Sequence, residues 1–541
     1  MTAVRVFKAR RVVTMDPALP EATHVAVREG RILGAGGAEL LGFYPGAAED
    51  GRFADRVIVP GFVEGHCHAV EGMVWRLPYL GYFDRAMPAG GTAPGARTLA
   101  EALARLRSLE AALAPDQPLL VWGFDPIYYE GPRLHRRDLD AISPSRPIVV
   151  SHASGHIINV NSVVLERAGF SADSNLDGLV RDADGLTGEL MGPPAMQRAT
   201  RVAGGGGLMS RLDEEGLRAF ARQASRVGIT TATDLQRKLD AEMVAMMRRV
   251  TGAADFPVRL VAALGAREYS LADGVARAGE LLGTGTGKLH FGIVKLTLDG
   301  SIQGFTGRLR WPGYHNGAAN GMWYIAPSEL EGIVEAYLRA GAQIHIHTNG
   351  DEASEAAIGA LENVLARCPR PEHRTTLQHC QMADAAQFRR MAALGMAANL
   401  FVNHIYYWGE QHAALTAGPA RAPRMNATAT ARREGVPVAI HSDAPVTPLG
   451  PLFSMWCAVN RLTSRGRVFG AGERLSVAEA LHAVTLGPAW TLRLDHAVGS
   501  IAPGKFADFT VLDEDPFLVP PERLREIAVH ATVLAGEVFH A

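Results

Sequence analysis

A (β/α)8 TIM barrel, carrying a small β-sandwich made from both chain ends and an inserted cap domain, is the fold this 541-residue sequence predicts. Three observations predict it. Short apolar runs alternate with helical patterns through the middle of the chain, giving eight strand candidates. Both ends read as β-runs. One long stretch, residues 76–210, breaks the alternation. The length exceeds one ordinary core, so more than one unit is expected.

The ends come first. Residues 4–16, 23–35 and 56–60 are strand-like runs broken by Asp-Pro, Glu-Gly and Gly-Gly turns, and 506–513 and 527–541 read the same way. They are expected to meet in one sandwich built from 1–60 and 499–541. The barrel is expected over 61–75 and 211–498. Its first strand is "VIVPGFVEGH" at 57–66. From residue 213, "DEEGLRAFARQASRVG" places Leu217, Phe220, Ala224 and Val227 at helical spacing, and "ITTATD" follows. "PVRLVAAL", "HFGIVKLTLD", "AQIHIHT", "RTTLQH", "MAANLF" and "VPVAIHSD" supply the remaining strands, most of them leading into a helical pattern. Eight such units in series favour a closed parallel barrel. A doubly wound sheet is disfavoured because no GxGxxG follows the first strand. The Pro- and Gly-rich stretch 76–210 reads as the inserted cap, with "VAGGGGLMSR" at 202–211 as its flexible return.

Composition narrows the function. The net charge of −2 favours neither nucleic acid nor an anionic membrane surface. No run of about 18 apolar residues and no signal-peptide block is present, so a cytoplasmic protein is expected. Cys67, Cys368, Cys380 and Cys457 form no CxxC pair, which argues against a disulfide framework or a zinc knuckle.

Polar residues gather where barrel strands end, the place where such barrels hold their chemistry. "GHCH" carries His66 and His68, expected on one face of a strand and able to reach one metal ion. Lys295 sits among Ile293, Val294, Leu296 and Leu298, in a strand read as buried on both faces. A buried lysine is costly unless paired, deprotonated or chemically changed. His345 and His347 lie two apart on the fifth strand, His379 ends the sixth, and Asp443 ends the eighth. One histidine in an apolar strand is usually a hydrogen-bonded core residue. Four histidines, counting one of the 345/347 pair, and an aspartate at one end of successive strands have no comparable packing explanation, and nitrogen and oxygen donors suit zinc first, then manganese or iron.

The motifs "VPGFVEGHCH", "VKLTLDGS", "HTNGDEA", "LQHCQM", "HSDAPVTPL" and "GSIAPGKFADFTVLDEDP" occur in that order along nearly the whole chain. With them the chain resembles the amidohydrolase superfamily of metal-dependent hydrolases, within it the family 3 branch that includes N-substituted formamide deformylase. The resemblance implies two divalent metal ions, zinc first. His66, His68 and Asp443 would hold one, and His347 and His379 the second. Lys295, carboxylated by CO2, would bridge them. It further implies metal-activated hydroxide attack on a carbon–nitrogen bond other than a peptide bond, with Asp443 moving the proton. An acyclic N-formyl or N-acyl amide is the leading substrate class. A cyclic amide (as for hydantoinase or dihydroorotase relatives), ring deamination, and a non-catalytic regulatory role are the alternatives. The expected partner is a small-molecule amide, with neither nucleic acid nor membrane; a homodimer is allowed.

Other residues carry secondary expectations. "NLFVNHIYYWGEQH" offers His404 as a catalytic group near the scissile carbonyl, with Tyr406, Tyr407 and Trp408 as a pocket wall. His156, in "SHASGHIINVNS", is a candidate to reach over the barrel mouth, and with Tyr407 and Trp408 to touch substrate. His345 is the deeper alternative to His347. His441 reads equally as support for a ligand or as core. Asp299 and Asp351 read as turn and helix-cap residues, and Cys67 as packing.

Overall fold

The computed structural model of the protein describes residues 3–204 and 212–540. Most of the glycine-rich return, 205–211, lies outside them. Eight parallel strands stand side by side in chain order: β1 (Phe62–Glu64), β2 (Ile229–Arg237), β3 (Arg259–Gly265), β4 (Leu289–Thr297), β5 (Gln343–Thr348), β6 (Thr376–His379), β7 (Ala397–Leu400) and β8 (Val438–Ile440). All but β2 and β4 are buried along their whole length, as a parallel sheet covered on both faces requires. The ring closes just past the strand ends. There the Asp443 N–H donates to the His66 carbonyl (3.1 Å) and the His68 N–H to the Ala444 carbonyl (2.8 Å).

Between strands, the helices follow from spacing and caps. Asp213 accepts from the Gly216 N–H and starts helix Glu214–Arg226, whose Leu217, Phe220, Ala221 and Ala224 face inward. Helix Asp351–Arg367 buries Ala353, Ala357, Ile358, Leu361 and Val364 along one stripe. Capping boxes at Asp384–Gln387 and Ser476–Glu479 start two others.

The first strand differs from expectation. Residues 57–60 belong to a long strand of the terminal sheet, Ala48–Pro60, and only Phe62–Glu64 enters the barrel. Gly61 makes the step between sheets. A Cβ there would stand 2.1 Å from Thr230 Oγ1, so the approach to β2 tolerates only glycine. His66 and His68 therefore lie beyond β1, and strand alternation is not what brings them together.

The terminal unit is one mixed sheet of seven strands. In spatial order they are Glu537–His540, Val529–Leu534, Phe509–Leu512, Ala48–Pro60, Arg5–Val13, Glu21–Arg28 and Arg31–Gly36. The sheet curls until its edge meets the segment before Phe509, with Ile32 N–H donating to the Lys505 carbonyl and Ala507 N–H to the Gly30 carbonyl, both at 2.9 Å. Phe7, Phe53, Val25, Phe509 and Val533 fill the space enclosed. Arg259, at the start of β3, ties this sheet to the barrel floor. Its buried guanidinium pairs with Asp508 and donates to the Gly287 carbonyl (3.0 Å) and Thr231 Oγ1 (3.2 Å). Arg259→Ala strands the buried carboxylate, so a loss of about 3–5 kcal/mol is expected. Urea unfolding checks this, and a change within about 0.5 kcal/mol, the range of ordinary surface substitutions, contradicts it.

Between β1 and β2 the chain builds a separate five-stranded sheet, in the order Leu179–Asp182, Gly185–Met191, Ile157–Val160, Ile148–His152, Leu119–Phe124. Two apolar clusters of its own flank it.

Candidate metal centre

The backbone at the barrel mouth is bent to aim side chains inward. His379 ends β6 with φ +72° and Asp443 follows β8 with φ +53°. Both lie in the left-handed region, which costs a non-glycine residue of order 1–3 kcal/mol and persists where the surroundings impose it. In β6 the bend has a direct effect. Gln378 points into the barrel by alternation, and the twist at His379 turns the next side chain inward as well.

These segments bring the predicted residues together. Asp443 Oδ1 stands 3.3 Å from His66 Nε2 and 3.4 Å from His68 Nε2. His379 sits between two histidines, its Nδ1 3.1 Å from His441 Nε2 and its Nε2 2.9 Å from His347 Nδ1. Two trios place their ligand atoms within 4.8 Å of one another: His66, His68 and Asp443, and His66, His379 and His441. His441 thus joins the cluster itself, its ring stacked on His66 at 4.7 Å. Sequence parity alone leaves it open between support and core.

A hydrogen-bonded layer beneath fixes these rings. His66 Nδ1–H donates to Gln378 Oε1 (2.7 Å), which leaves Nε2 as the free lone pair facing Asp443. Asn399 donates to the same Gln378 oxygen (2.9 Å), and its own oxygen accepts from His441 Nδ1 (3.0 Å). Gln378 Nε2 donates to His345 Nδ1 (2.9 Å), so His345 carries its proton on Nε2 and gives it to the Thr491 carbonyl (2.9 Å). Both ring nitrogens of His345 are thereby occupied; His347 is the one of the pair that faces the cluster. Gln378 and Asn399 escaped the sequence reading, Gln378 because simple alternation sets it on the face opposite His379. Gln378→Leu is expected to weaken metal affinity roughly 10–100-fold, measured by competition with a chelator; unchanged affinity contradicts its orienting role.

Charge state suits metal binding. Burial holds His66, His347, His379 and His441 well below the usual histidine range, with other cationic neighbours, Lys295 among them, adding to it. Neutral imidazoles are what a metal requires. Lys295 is 3% exposed and among the described residues nothing hydrogen-bonds its Nζ. Burial pushes its pKa down to about 7, with Arg267 acting in the same direction and Asp443 opposing. Glu64, also unforeseen, lies under the cluster, accepting from Ser442 Oγ (2.9 Å) and Ser442 N–H (3.2 Å); burial raises it to about 8. Asp299 accepts the Arg308, Asn349 and Gly350 N–H groups, each at 2.9 Å, which is structural work before helix Asp351–Arg367.

The remaining candidates lie close to these rings. His156, from the inserted sheet, bonds Tyr324 Oη (3.1 Å) and sets its ring 5.2 Å from that of His347. His404 lies on helix Asn403–Gln411, its ring 4.5 Å from Phe401 and 4.5 Å from Trp408. Gln381 Nε2 donates to His404 Nδ1 (3.0 Å), and His412 Nε2 lies 3.1 Å from the same atom. His404 Nδ1 is an acceptor in this arrangement, so the proton of the neutral ring sits on Nε2. Trp408 Nε1 donates to Asp125 Oδ2 (2.7 Å), and Tyr128 Oη to the Tyr407 carbonyl (3.1 Å).

Comparison with known proteins agrees with this geometry. A profile described as "Amidohydrolase family" matches residues 54–540. The chain is 26% identical to a putative amidohydrolase, YtcJ, of Bacillus subtilis (strain 168) over 531 residues, 95% of each chain. It is 25% identical over 510 residues to the N-substituted formamide deformylase of Arthrobacter pascens, covering 91% of this chain and 90% of that one. Among solved structures, an uncharacterized metal-dependent hydrolase from Pyrococcus horikoshii has the same fold. The TM-score is 0.72 at 19% identity, over 96% of this chain and 99% of the other.

Proposed function

The chain belongs to the amidohydrolase family, and from that membership we propose that it hydrolyses an acyclic N-formyl or N-acyl amide of a small molecule. The coarser statement, a metal-dependent hydrolase acting on carbon–nitrogen bonds, follows from the family and the histidine–aspartate cluster. The acyclic preference is supported by the likeness to the formamide deformylase along nearly the full chain.

The donor set fits two divalent ions, with zinc the first choice for imidazole and carboxylate. His66, His68 and Asp443 would hold one ion, and His347 and His379 the second. The single observation that carries a bridging carbamate is the orphaned Lys295 Nζ, buried among neutral imidazoles with a pKa near that of a partly free amine. As a carbamate it becomes an anionic ligand and the stranded cation disappears. When bound, such ions polarise a carbonyl and make water acidic enough to be deprotonated near neutral pH.

Everything else is the work of side chains. Asp443 accepts the proton of the attacking water and passes it to the leaving amine. His404 is a neutral donor through Nε2, suited to the developing oxyanion, and the low pKa imposed by burial keeps it from acting as an acid by charge. The residues 76–210 act as a cap over the mouth, bringing His156 beside His347. The four free thiols support a cytoplasmic setting.

One observation favours a second reading. The trio His66, His379 and His441 can hold a single ion without Lys295, the arrangement a ring deaminase would use. Metal counting on fully loaded protein decides between them. A panel of N-formyl, N-acetyl and cyclic amides, tested with zinc- and manganese-loaded enzyme, tests the substrate class. Turnover of the acyclic members is expected; turnover of cyclic amides alone contradicts the proposal.

A further inference from the structure

Where the inserted sheet meets the barrel mouth, four aromatic rings form a closed circuit. Phe83 and Tyr128 come from the insertion, Tyr407 and Trp408 from helix Asn403–Gln411. Neighbouring centroids are 5.1 Å (Phe83–Tyr407), 5.4 Å (Phe83–Tyr128), 5.5 Å (Tyr407–Trp408) and 6.4 Å (Tyr128–Trp408) apart. These rings line a cavity of about 40 Å³ together with Asp125 and, three residues after Asp443, Val446. The box therefore adjoins the metal centre.

Its charge is unbalanced. Asp125 is 5% exposed and, among the described residues, accepts only from Trp408 Nε1 and the Ile127 N–H (3.3 Å). No lysine, arginine or histidine among the described residues forms an ion pair with it. The cations nearby are engaged elsewhere. Arg133 grips Glu189 through two bonds of 2.9 Å. Arg85, which also lines the cavity, holds Glu71 (3.1 Å) and the Pro445 carbonyl (2.6 Å) and lies over Trp122. Asp84 accepts from Gly95 N–H and faces Arg97 at 3.3 Å. One buried carboxylate is left without an ion-pair partner in contact among the described residues, Arg133 acting on it only from a distance, and burial drives its pKa up to about 7. An isolated buried charge of this kind is costly unless a counter-ion completes it. The Tyr79 and Tyr128 hydroxyls donate to backbone carbonyls, so neither gives its proton to Asp125. Ring faces with a carboxylate at the wall are the surroundings that attract an organic cation.

We propose that this box is a binding subsite for a small organic ammonium group carried by the substrate. Its place in the reaction rests on the hydrolase reading; binding itself does not. The subsite would select amides bearing a protonated or quaternary amine beyond the scissile bond.

Calorimetric titration of the full-length protein with choline and with its neutral isostere 3,3-dimethyl-1-butanol tests it without turnover. Choline is expected to bind at least about tenfold more tightly. Asp125→Asn, which retains an oxygen for Trp408 Nε1, is expected to bring the two ligands near parity. Trp408→Phe should weaken choline more than the alcohol. Equal affinities in the unaltered protein, or a preference surviving in Asp125→Asn, overturn the proposal. Failure of the amide panel with choline preference intact would count against the hydrolase reading alone.

Discussion

Lys295→Ala protein is expected to fold, to keep the first metal ion, and to lose turnover by more than the roughly 10–100-fold that removal of an outer-shell partner costs. The substitution removes a buried side chain with no hydrogen-bond partner among the described residues, so the apo barrel should not suffer from it. It is expected to gain stability below neutral pH, and the sign is fixed by linkage. Burial lowers the folded pKa of Lys295 to about 7, below its ordinary value of 10.5. The folded state thus binds fewer protons between these values. The penalty of the buried ammonium is fully present below about pH 7 and is relieved as pH rises toward 10.5. The same shift governs CO2 capture, since only the neutral amine reacts. Carbamate loading in metal and bicarbonate should rise as pH passes upward through about 7. Native mass spectrometry reads the added CO2, and metal analysis reads the second ion. Full turnover in Lys295→Ala, or an unmodified amine in fully loaded protein, contradicts the bridging role.

Asp443→Asn should lower kcat by roughly 10²–10⁴-fold while KM moves little. Asparagine tolerates the left-handed conformation that residue 443 adopts, so the φ of +53° is not a reason for misfolding. The substitution keeps an oxygen near His66 Nε2 and His68 Nε2 and removes the proposed proton acceptor between water and leaving amine. Metal content measured alongside kcat separates the two losses. Retained metal with kcat within tenfold of the unaltered protein would rule out Asp443 as the proton carrier.

Much of the barrel was legible because its strands are buried apolar runs ending in polar residues. Helix Asp351–Arg367 was readable from end to end through the spacing of its small and apolar residues. The metal-facing set was legible as types at strand ends, but not always for the operative reason. His66 and His68 converge because the chain leaves β1 and pairs with the Asp443 loop, a contact 377 residues away in sequence that no local pattern encodes. Gln378 was hidden by its neighbour: alternation allows one of two consecutive residues inward, and the twist at His379 admits both. The fold of the insertion escaped because Pro- and Gly-rich sequence carries no clear period. The aromatic box escaped with it, since Asp125 and Trp408 meet only once two units dock.

The seam between residues 66–68 and 443–444 closes the ring with the same backbone segments that carry metal-facing side chains. During synthesis, the histidines of the first segment emerge long before the aspartate they need, and the curled terminal sheet waits for residues 509–540. Contacts this distant in sequence form late. A chain cut short before residue 443 has no seam and no complete donor set. Metal retention is therefore expected to report that synthesis has passed the seam: a chain that stops short of residue 443 should fail to hold an ion at the mouth, while one that extends through it can join its first and last barrel strands there.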